Sequence, residues 1–517
     1  MKKIIIAFLV VLIVGLIFLQ FKFNNEITSA INTSLPPNIQ LNYAEINTNV
    51  FTGKIELDSL SVKVFDSKNK LQTALYSKCL NIKGLSLWAY LLTKKITIKN
   101  ITTNNPKLQY FRDDNEATVT IDSSKVHAFE KELKIKELTI NDISVINGSF
   151  DIIKNKKDSL FVKIDSINFI LKKLKTDAKK LKEIIPFIYK DVQFSSKDIF
   201  VNMNAYETLE IENLNVNNHQ FNLQNLYIKP KFTKEVLSTK IVFERDHLQF
   251  YIPELKLNQL DFGVTNNRFF VVADSGELVK PSLKVYRDKR VADDMTIKKM
   301  YSEILRDLSF DLAIPELKIK QGYVSYAERV ETIGKAGKIF FENVNSTLTN
   351  LTNTNKNSRE TKVLTNSYFM GKAPMELEVS FNVNDLLDSF LASGHFKDFN
   401  AQIVNNFFES NLNAKAEGEV ERIYFTFNGN KMSSKGDLKM KYKEFKFKIL
   451  NAKNQVNKLL TAIGNIFVND GSKSDKDGFR HGKIEVERHK NKSFFNYLWI
   501  NVESGLISAV TGKVEKK

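Results

Sequence analysis

The sequence predicts a mainly β protein: a long antiparallel sheet with one apolar face, an N-terminal transmembrane helix and a few amphipathic helices, including C-terminal ones. Three observations support this fold class. A charge-free apolar stretch opens the chain, apolar residues recur at alternate positions through most of it, and helical periodicity is confined to a few stretches. We therefore divide the chain into an anchor (1–23), a repetitive β region (24–380), a second β region (381–450) and a C-terminal cap of amphipathic helices with a closing strand (451–517).

The first element is the apolar run from Ile4 to Leu19, which follows Lys2 and Lys3. With Gln20 and Phe21 it would form a helix about 27 Å long, close to the ~30 Å apolar thickness of a bilayer. A cleaved signal peptide is the alternative, but the run exceeds a usual signal peptide's apolar core and no A-x-A site follows it. We expect an uncleaved anchor with the lysines in the cytoplasm and the bulk of the chain across the membrane. Its representative membrane-facing residues are Ile4, Phe8, Val11, Leu16 and Leu19.

The β region contains a repeated strand template, h-x-h-x-x-h-x-h-x-x-[G/P]-x-h-x-h, where h is apolar. Four copies are centred on Pro106, Gly148, Pro281 and Gly322, the third being the weakest. Pro106 and Gly148 are 42 residues apart, and Pro281 and Gly322 are 41 apart. Such constant offsets indicate an internal repeat.

The template predicts strands that bend while keeping one apolar face. Alternation puts every second side chain on one face, and each x-x step shifts that phase by one residue, which requires a bend or a β-bulge. The Gly or Pro marks the last bend. The residues after this bend are our candidates for an apolar binding surface: Leu108, Tyr110, Phe150, Ile152, Leu283, Val285, Val324 and Tyr326. The alternative is that they are ordinary core between two sheets.

Helices able to cover that apolar face are few. One candidate is residues 172–189, with a stripe of Leu174, Leu181, Ile185 and Ile188, and another is residues 295–308, with Ile297, Met300, Ile304 and Leu308. Both are too short to cover the predicted sheet. The remaining possibility is that the apolar face is a groove that holds another apolar molecule.

Two further amphipathic helices are predicted at the C-terminal end. The first has Val456, Leu459, Leu460, Ile463 and Phe467 on one face. The second, capped by Ser493, aligns Phe495, Leu498, Trp499, Val502, Leu506 and Val510. It could lie on a membrane surface or pack over the end of the sheet, and the sequence leaves both open.

Composition and motifs argue against several function classes. The single cysteine, Cys79, excludes internal disulfides and a cysteine-rich metal site. The formal charge of +17 comes largely from lysines that alternate with apolar residues, as on the solvated face of a strand, so we expect no nucleic-acid partner. The histidines are scattered, and the chain lacks the G-x-S-x-G, P-loop, H-E-x-x-H and Rossmann motifs. We predict no catalytic residues, no metal, no cofactor and no enzymatic activity.

Three blocks of the sequence resemble the AsmA-like family, the bacterial relatives of bridge-like lipid transfer proteins. They are FTGKIELDSLSVKV with residues 80–111, then LRDLSFDLAIPELKIKQGYVSYAER, and residues 391–450, which look like the family's C-terminal region. The resemblance implies an elongated, twisted β-groove shaped like a taco, anchored in the bacterial inner membrane with its bulk in the periplasm. It further implies that the groove carries phospholipid acyl chains between envelope membranes and supports outer-membrane biogenesis.

The function expected from the sequence is therefore binding or conduction of phospholipid through an apolar groove. Exposing an acyl chain to water costs about 0.8 kcal/mol per methylene, or about 12 kcal/mol for sixteen carbons, and an apolar groove lowers this barrier without catalytic residues. The expected partners are phospholipid acyl chains and the inner membrane, with an envelope protein as a further possibility. The alternative function is a non-transporting envelope scaffold or assembly factor that binds a protein partner.

Overall fold

A computed structural model describes residues 37–49, 52–86, 92–112, 136–154, 159–177, 179–180, 183, 185–330, 335–354, 360–450 and 474–511. Strands dominate these residues, and all 24 strands belong to one mixed sheet, which confirms the mainly β class. The predicted membrane anchor and the first predicted C-terminal helix lie outside the described residues. Within the described part, no helix is both long and apolar enough to cross a membrane.

The chain forms two compact units. Unit 1 comprises Met1–Asn225 with Gly263–Arg268, and unit 2 comprises Leu226–Phe262 with Phe269–Lys517. The first ten strands lie in unit 1: β1 (Ile39–Asn42), β2 (Glu45–Asn49), β3 (Lys54–Phe65), β4 (Leu71–Lys83), β5 (Lys95–Asn104), β6 (Lys107–Arg112), β7 (Glu137–Lys154), β8 (Ser159–Thr176), β9 (Asp191–Val201) and β10 (Glu207–Asn217).

The following segment of the chain carries four strands and one short helix: β11 (Gln220–Pro230), α1 (Lys234–Lys240), β12 (His247–Asn258), β13 (Asp261–Thr265) and β14 (Arg268–Val272). The rest of unit 2 contains β15 (Ser275–Val279), β16 (Ser282–Asp288), α2 (Tyr301–Arg306), β17 (Asp311–Arg329), β18 (Gly337–Thr352), β19 (Thr361–Phe369), β20 (Ala373–Phe381), β21 (Phe390–Asn400), a 3-10 turn (Ala401–Val404), α3 (Asn405–Asn411), β22 (Ala414–Gly429), β23 (Ser433–Ile449), β24 (Arg480–Glu487) and α4 (Phe494–Thr511).

The 42- and 41-residue spacings of the repeat are the registers of parallel strand pairs. In unit 1, β5 and β6 run parallel to β7, with Lys95 opposite Glu137 and Arg112 opposite Lys154. In unit 2, β15 and β16 run parallel to β17, with Ser282 opposite Tyr323. The two copies in each pair are thus neighbours in the sheet. The prediction of an antiparallel sheet is wrong at these strands because each pair is joined by a crossover and not by a hairpin.

Antiparallel ladders surround both parallel pairs. In unit 1, β3 pairs with β1, β2 and β4, β4 pairs with β5 and β6, and the ladder continues from β7 through β8 and β9 to β10. In unit 2, β12 pairs with β15 and β16, and a ladder runs from β17 to β24 in chain order. Chain neighbours therefore pair at most short turns, whereas β1 with β2, β5 with β6, and β15 with β16 each follow one another along a shared partner strand.

The predicted bends are β-bulges with left-handed backbone at non-glycine residues. Asn147 in β7 and Gln321 in β17 have φ of 52° and 54°, and a register shift follows each of them at Gly148 and Gly322. In unit 1 the break between β5 and β6 lies beside this bulge, because Asn147 Nδ2 donates to Asn105 Oδ1 at 2.6 Å. The extra residue in each bulge keeps the apolar set on one face across the phase shift.

Two of the predicted helices are corrected by the structure. Leu174, assigned to a helical stripe, lies in strand β8, and Ile188 forms an isolated bridge with Lys175. Lys173 has φ of 53°, so the spacing from Leu171 to Leu174 comes from a shift in strand phase and imitates a helical step. The helix predicted over 295–308 is confined to Tyr301–Arg306, with Met300 buried and Ile297 and Ile304 exposed.

Candidate functional site

The eight candidate residues come together as cross-strand neighbours. In unit 1, Leu108 is opposite Phe150 and Tyr110 is opposite Ile152. In unit 2, Leu283 is opposite Val324 and Val285 is opposite Tyr326. The parallel register therefore gathers the candidates of each unit into one apolar group on one face of the sheet.

The unit 1 group continues across the antiparallel neighbours. Leu75 of β4 faces Leu108, and Ile164 of β8 faces Phe150, so four strands contribute to one apolar row. The next row runs from Tyr110 through Ile152, Val162 and Val201 to Leu209.

The unit 2 group continues in the same manner. One row joins Phe250, Leu283, Val324, Phe341 and Phe369 over five strands. The neighbouring row joins Leu248, Val285, Tyr326 and Ile339. Sequence reasoning missed the members on β4, β8, β9, β10, β12, β18 and β19. Their alternation was visible, but which strands lie side by side was not.

The apolar face of unit 1 has a closed part and a partly open part. On β5 and β7, Ile96, Ile98 and Ile140 are at most 1% exposed and belong to a compact core. Beyond the bulge, Leu108, Phe150 and Ile152 are only partly buried, although Tyr110 is 8% exposed. In unit 2, Leu283, Val285, Val324 and Tyr326 are also partly buried. The candidates therefore lie between a sealed core and a solvated surface.

The opposite face of the strands carries paired charges. Lys175 lies 3.1 Å from Glu137, Lys172 lies 3.4 Å from Asp191 and Lys320 lies 2.6 Å from Glu277. These lysine side chains are about half exposed, so their pairs are screened by solvent and contribute little stability. The arrangement agrees with the predicted solvated strand face.

Polar side chains follow the apolar rows further along the same strands. On unit 1, Arg112 and Lys154 are register partners, and both cationic groups lie over the Phe161 ring, at 5.6 Å and 4.6 Å from its centroid. On unit 2, Arg287 forms an ion pair with Asp246 at 2.7 Å, and the Tyr326 hydroxyl donates to Glu328 Oε2 at 2.7 Å. Burial, and then the Glu328 charge, raises the pKa of Tyr326, so the phenol stays neutral.

The C-terminal helix α4 covers part of unit 2. It packs on β23 and β24 through buried apolar residues such as Tyr497 and Ile500 and through small and polar ones, of which Asn501 is fully buried and accepts a hydrogen bond from Ser434 Oγ at 2.7 Å. The Ser493 hydroxyl accepts the Asn496 N–H at 3.3 Å, which confirms the predicted cap. Phe495, expected on the apolar stripe, is 59% exposed, whereas Phe494 and Tyr497 are buried. Helix α4 therefore packs over the sheet, and the predicted stripe, apart from Phe495, lies against the core of unit 2 as partly buried residues.

The chemistry of these surfaces is burial and hydrogen bonding. Within the described residues, no group of three or more His, Cys, Asp or Glu side chains is arranged to hold a metal ion. A polar cavity of about 720 Å³ on unit 1, not foreseen from the sequence, is lined mainly by Asn, Ser and Gln side chains, including Asn147, Asn168 and Asn213. Lys197 supplies its one charged side chain.

Comparison with known proteins adds no assignment: no protein-family model matches this chain, and no curated protein matches it.

Proposed function

We propose that this protein binds phospholipid acyl chains along the half-buried apolar rows of its sheet, as a membrane-anchored periplasmic protein of the AsmA-like type. In this role it conducts lipid between the membranes of a bacterial envelope and supports outer-membrane biogenesis. In this role the protein transfers lipid and catalyses no chemical reaction.

The observation that carries the proposal is the alignment of apolar residues across adjacent strands without full burial. An apolar residue of a finished core loses nearly all contact with water, as Ile98 and Ile140 do at 0% exposure. The rows through Phe150 and Val324 keep part of their surface in solvent although each is continuous over four or more strands. A contiguous apolar surface that remains accessible indicates a ligand-binding or interaction site.

The dimensions of a sheet suit an acyl chain. Neighbouring strands lie about 4.8 Å apart, so a row over four strands is about 14 Å long, which matches roughly eleven methylenes at ~1.25 Å each. Burying those methylenes recovers on the order of 9 kcal/mol of the cost of exposing them to water. A row of aliphatic and aromatic side chains supplies this stabilisation without reading a headgroup.

The polar side chains beside the rows agree with an amphipathic ligand. In unit 1 the apolar side chains give way to the cationic pair Arg112 and Lys154. A phospholipid whose acyl chain lies on the rows could place its phosphate beside the rows, next to these two side chains.

The test is photo-crosslinking in the full chain. A photoreactive amino acid replaces Phe150 or, separately, Tyr326, and the matched controls replace Lys107 and Lys284, which are exposed. We expect phospholipid adducts at the first two positions and not at the controls. Native mass spectrometry of the unmodified protein should show bound phospholipid.

A purified protein without lipid, together with no adduct at Phe150 or Tyr326 in cells, would contradict the proposal. Protein adducts at these positions, in place of lipid, would favour the alternative of an envelope scaffold that binds a protein partner.

A further inference from the structure

The position six residues after each repeat centre carries different charges in the two units. In unit 1 these positions are Arg112 of β6 and Lys154 of β7. In unit 2 they are Arg287 of β16 and Glu328 of β17. The two residues of each unit are register partners in parallel strands. The repeat therefore places two cations side by side in unit 1, but a cation beside an anion in unit 2.

The cationic pair of unit 1 lies on the same face as the apolar rows. Leu108, Tyr110 and Arg112 occupy alternate positions of β6, so their side chains point to one side of the sheet. In β7, Lys154 follows Ile152 in the same way. Because a strand rises about 3.3 Å per residue, the pair lies about 7 Å beyond the row through Tyr110. A ligand on the apolar rows would therefore have both cations within reach.

The two cations of unit 1 have an aromatic partner and no acidic one. Both lie over the Phe161 ring, Arg112 at 5.6 Å and Lys154 at 4.6 Å from its centroid. Among the residues that the structure describes, no carboxylate forms an ion pair with either of them. Asp151 of β7 alternates with the row residues and pairs with Lys107 at 3.5 Å on the opposite face. Like charges on paired strands repel each other, so an anion bound between them would relieve the repulsion.

The equivalent pair of unit 2 is neutralised within the protein. Arg287 forms ion pairs with Asp246 at 2.7 Å and with Glu244 at 3.6 Å, and its side chain is only 18% exposed. Glu328 accepts a hydrogen bond from the Tyr326 hydroxyl at 2.7 Å. The same position of the repeat therefore offers a ligand two cations in unit 1 and an occupied ion pair in unit 2.

We propose that Arg112 and Lys154 select the headgroup of the lipid bound by unit 1, favouring an anionic phosphodiester headgroup over a zwitterionic one. The inference rests on the proposed binding of acyl chains along the rows, which unit 2 shares without this selectivity. A guanidinium group binds phosphate through two parallel N–H donors, and the lysine adds a second charge. A zwitterionic headgroup carries an ammonium group of its own, which the two cations repel. Because the rows adjoin the pair, the phosphate it receives is that of an amphipathic lipid.

The test compares the headgroups that the two units of the full chain capture. A photoreactive amino acid replaces Phe150 in unit 1 or, separately, Tyr326 in unit 2. The protein is stripped of lipid in detergent and mixed with equal amounts of phosphatidylglycerol, phosphatidylethanolamine and diacylglycerol that have identical acyl chains. The mass of each adduct after crosslinking identifies its headgroup.

At Phe150 we expect about fivefold more adduct of phosphatidylglycerol than of phosphatidylethanolamine, the factor that one basic residue contributes toward anionic lipid. Diacylglycerol, which lacks a phosphate, should give the least. Arg112→Gln combined with Lys154→Gln should bring the ratio of the two phospholipids close to one, whereas Arg112→Lys should keep most of the preference. At Tyr326 the ratio should be close to one with or without these changes.

Two controls separate the pair from net charge and from free phosphate. Lys107→Gln with Lys172→Gln removes two cations that are about half exposed on the opposite face, and should leave the ratio at Phe150 unchanged. Millimolar inorganic phosphate, compared with sodium chloride at equal ionic strength, should also leave it unchanged, because the bound acyl chains keep the headgroup at a high effective concentration. Circular dichroism verifies the fold of each variant.

Four results would overturn the inference. One is an equal ratio at Phe150 with and without the Arg112 and Lys154 changes, which leaves the proposed function intact. Another is a preference of the same size at Tyr326, which would assign the selectivity to the net charge of the protein. A ratio that inorganic phosphate lowers to one would assign the pair to free phosphate. The last is the absence of any lipid adduct at Phe150, which would contradict the proposed function as well.

Discussion

At the scale of single residues, the C-terminal end of β16 has a structural role in unit 2. Arg287 and Asp288 end β16. Asp288 is 4% exposed and accepts hydrogen bonds from Arg290 Nε at 2.8 Å and Ser238 Oγ at 2.7 Å. The carboxylate therefore fixes helix α1 against the end of the strand. These hydrogen bonds, above all that from Arg290, lower the pKa of Asp288 well below its ordinary value.

Asp288→Asn should destabilise the protein by about 2 kcal/mol at pH 7, because it removes the charge from buried hydrogen bonds. A lowered pKa in the folded state means that this stabilisation is present above pH 4 and is lost as the pH falls further. The difference in free energy of unfolding between wild type and variant should therefore become smaller below pH 4. Urea unfolding at several pH values measures it.

Asp437→Asn serves as the control for this change. Asp437 pairs with Lys483, but its side chain is 71% exposed, so we expect little effect on the unfolding midpoint. An equal loss of stability in the Asp288→Asn and Asp437→Asn variants would contradict a special role for Asp288.

At the scale of elements, close packing of α4 on the sheet depends on two glycines. A Cβ atom at Gly482 of β24 would lie 2.1 Å from the Gly505 carbonyl oxygen and 2.6 Å from the Ala509 nitrogen. The Ser508 hydroxyl accepts the Lys483 N–H at 2.9 Å, so this contact also satisfies a donor of the strand. Helix and strand can approach this closely only while both positions lack a side chain.

Gly482→Val should displace α4 and destabilise unit 2 by about 3 kcal/mol, at the upper end of overpacking costs. The matched control is Lys483→Val on the same strand, whose side chain is 68% exposed. Thermal unfolding followed by tryptophan fluorescence compares them, since Trp499 lies in α4. Equal midpoints would show that the helix tolerates the added side chain.

Elements were predictable where periodicity was unbroken. The alternation around Phe150 and Tyr326 predicted strands, and the Ser493 cap predicted the start of α4. The stretch 172–189 was misassigned because the left-handed backbone at Lys173 leaves Leu171 and Leu174 both buried, at a spacing like that of a helix. The face of α4 was predicted in part. Its stripe packs against the core through Leu498, Trp499, Val502, Leu506 and Val510, whereas Phe495 is exposed and the buried Asn501, Ser504 and Ser508 carry no apolar signal.

At the scale of the whole molecule, each unit carries its own apolar rows. The sequence identified their members, since the template marked all eight candidates. It could not show how far each would be buried, because burial depends on which strands become neighbours.

If both units bind lipid, the full chain should hold at least two phospholipids. Phe150→Asp and Val324→Asp should each reduce the number bound, and the double variant should bind none, because a buried carboxylate costs several kcal/mol. Native mass spectrometry counts the lipids, and Lys107→Asp with Lys284→Asp provides the control on exposed positions. Loss of all lipid in either single variant would indicate one shared site.

The parallel register also limits how this chain can vary in evolution. Extra residues between β6 and β7 leave the pairing of Leu108 with Phe150 intact, since the crossover can absorb them. One residue inserted within Glu137–Lys154 turns every later side chain of β7 to the opposite face, unless a new bulge restores the phase. Related sequences should therefore differ in length at the crossovers and conserve the lengths of β7 and β17, and new strand pairs could be added without altering the existing ones.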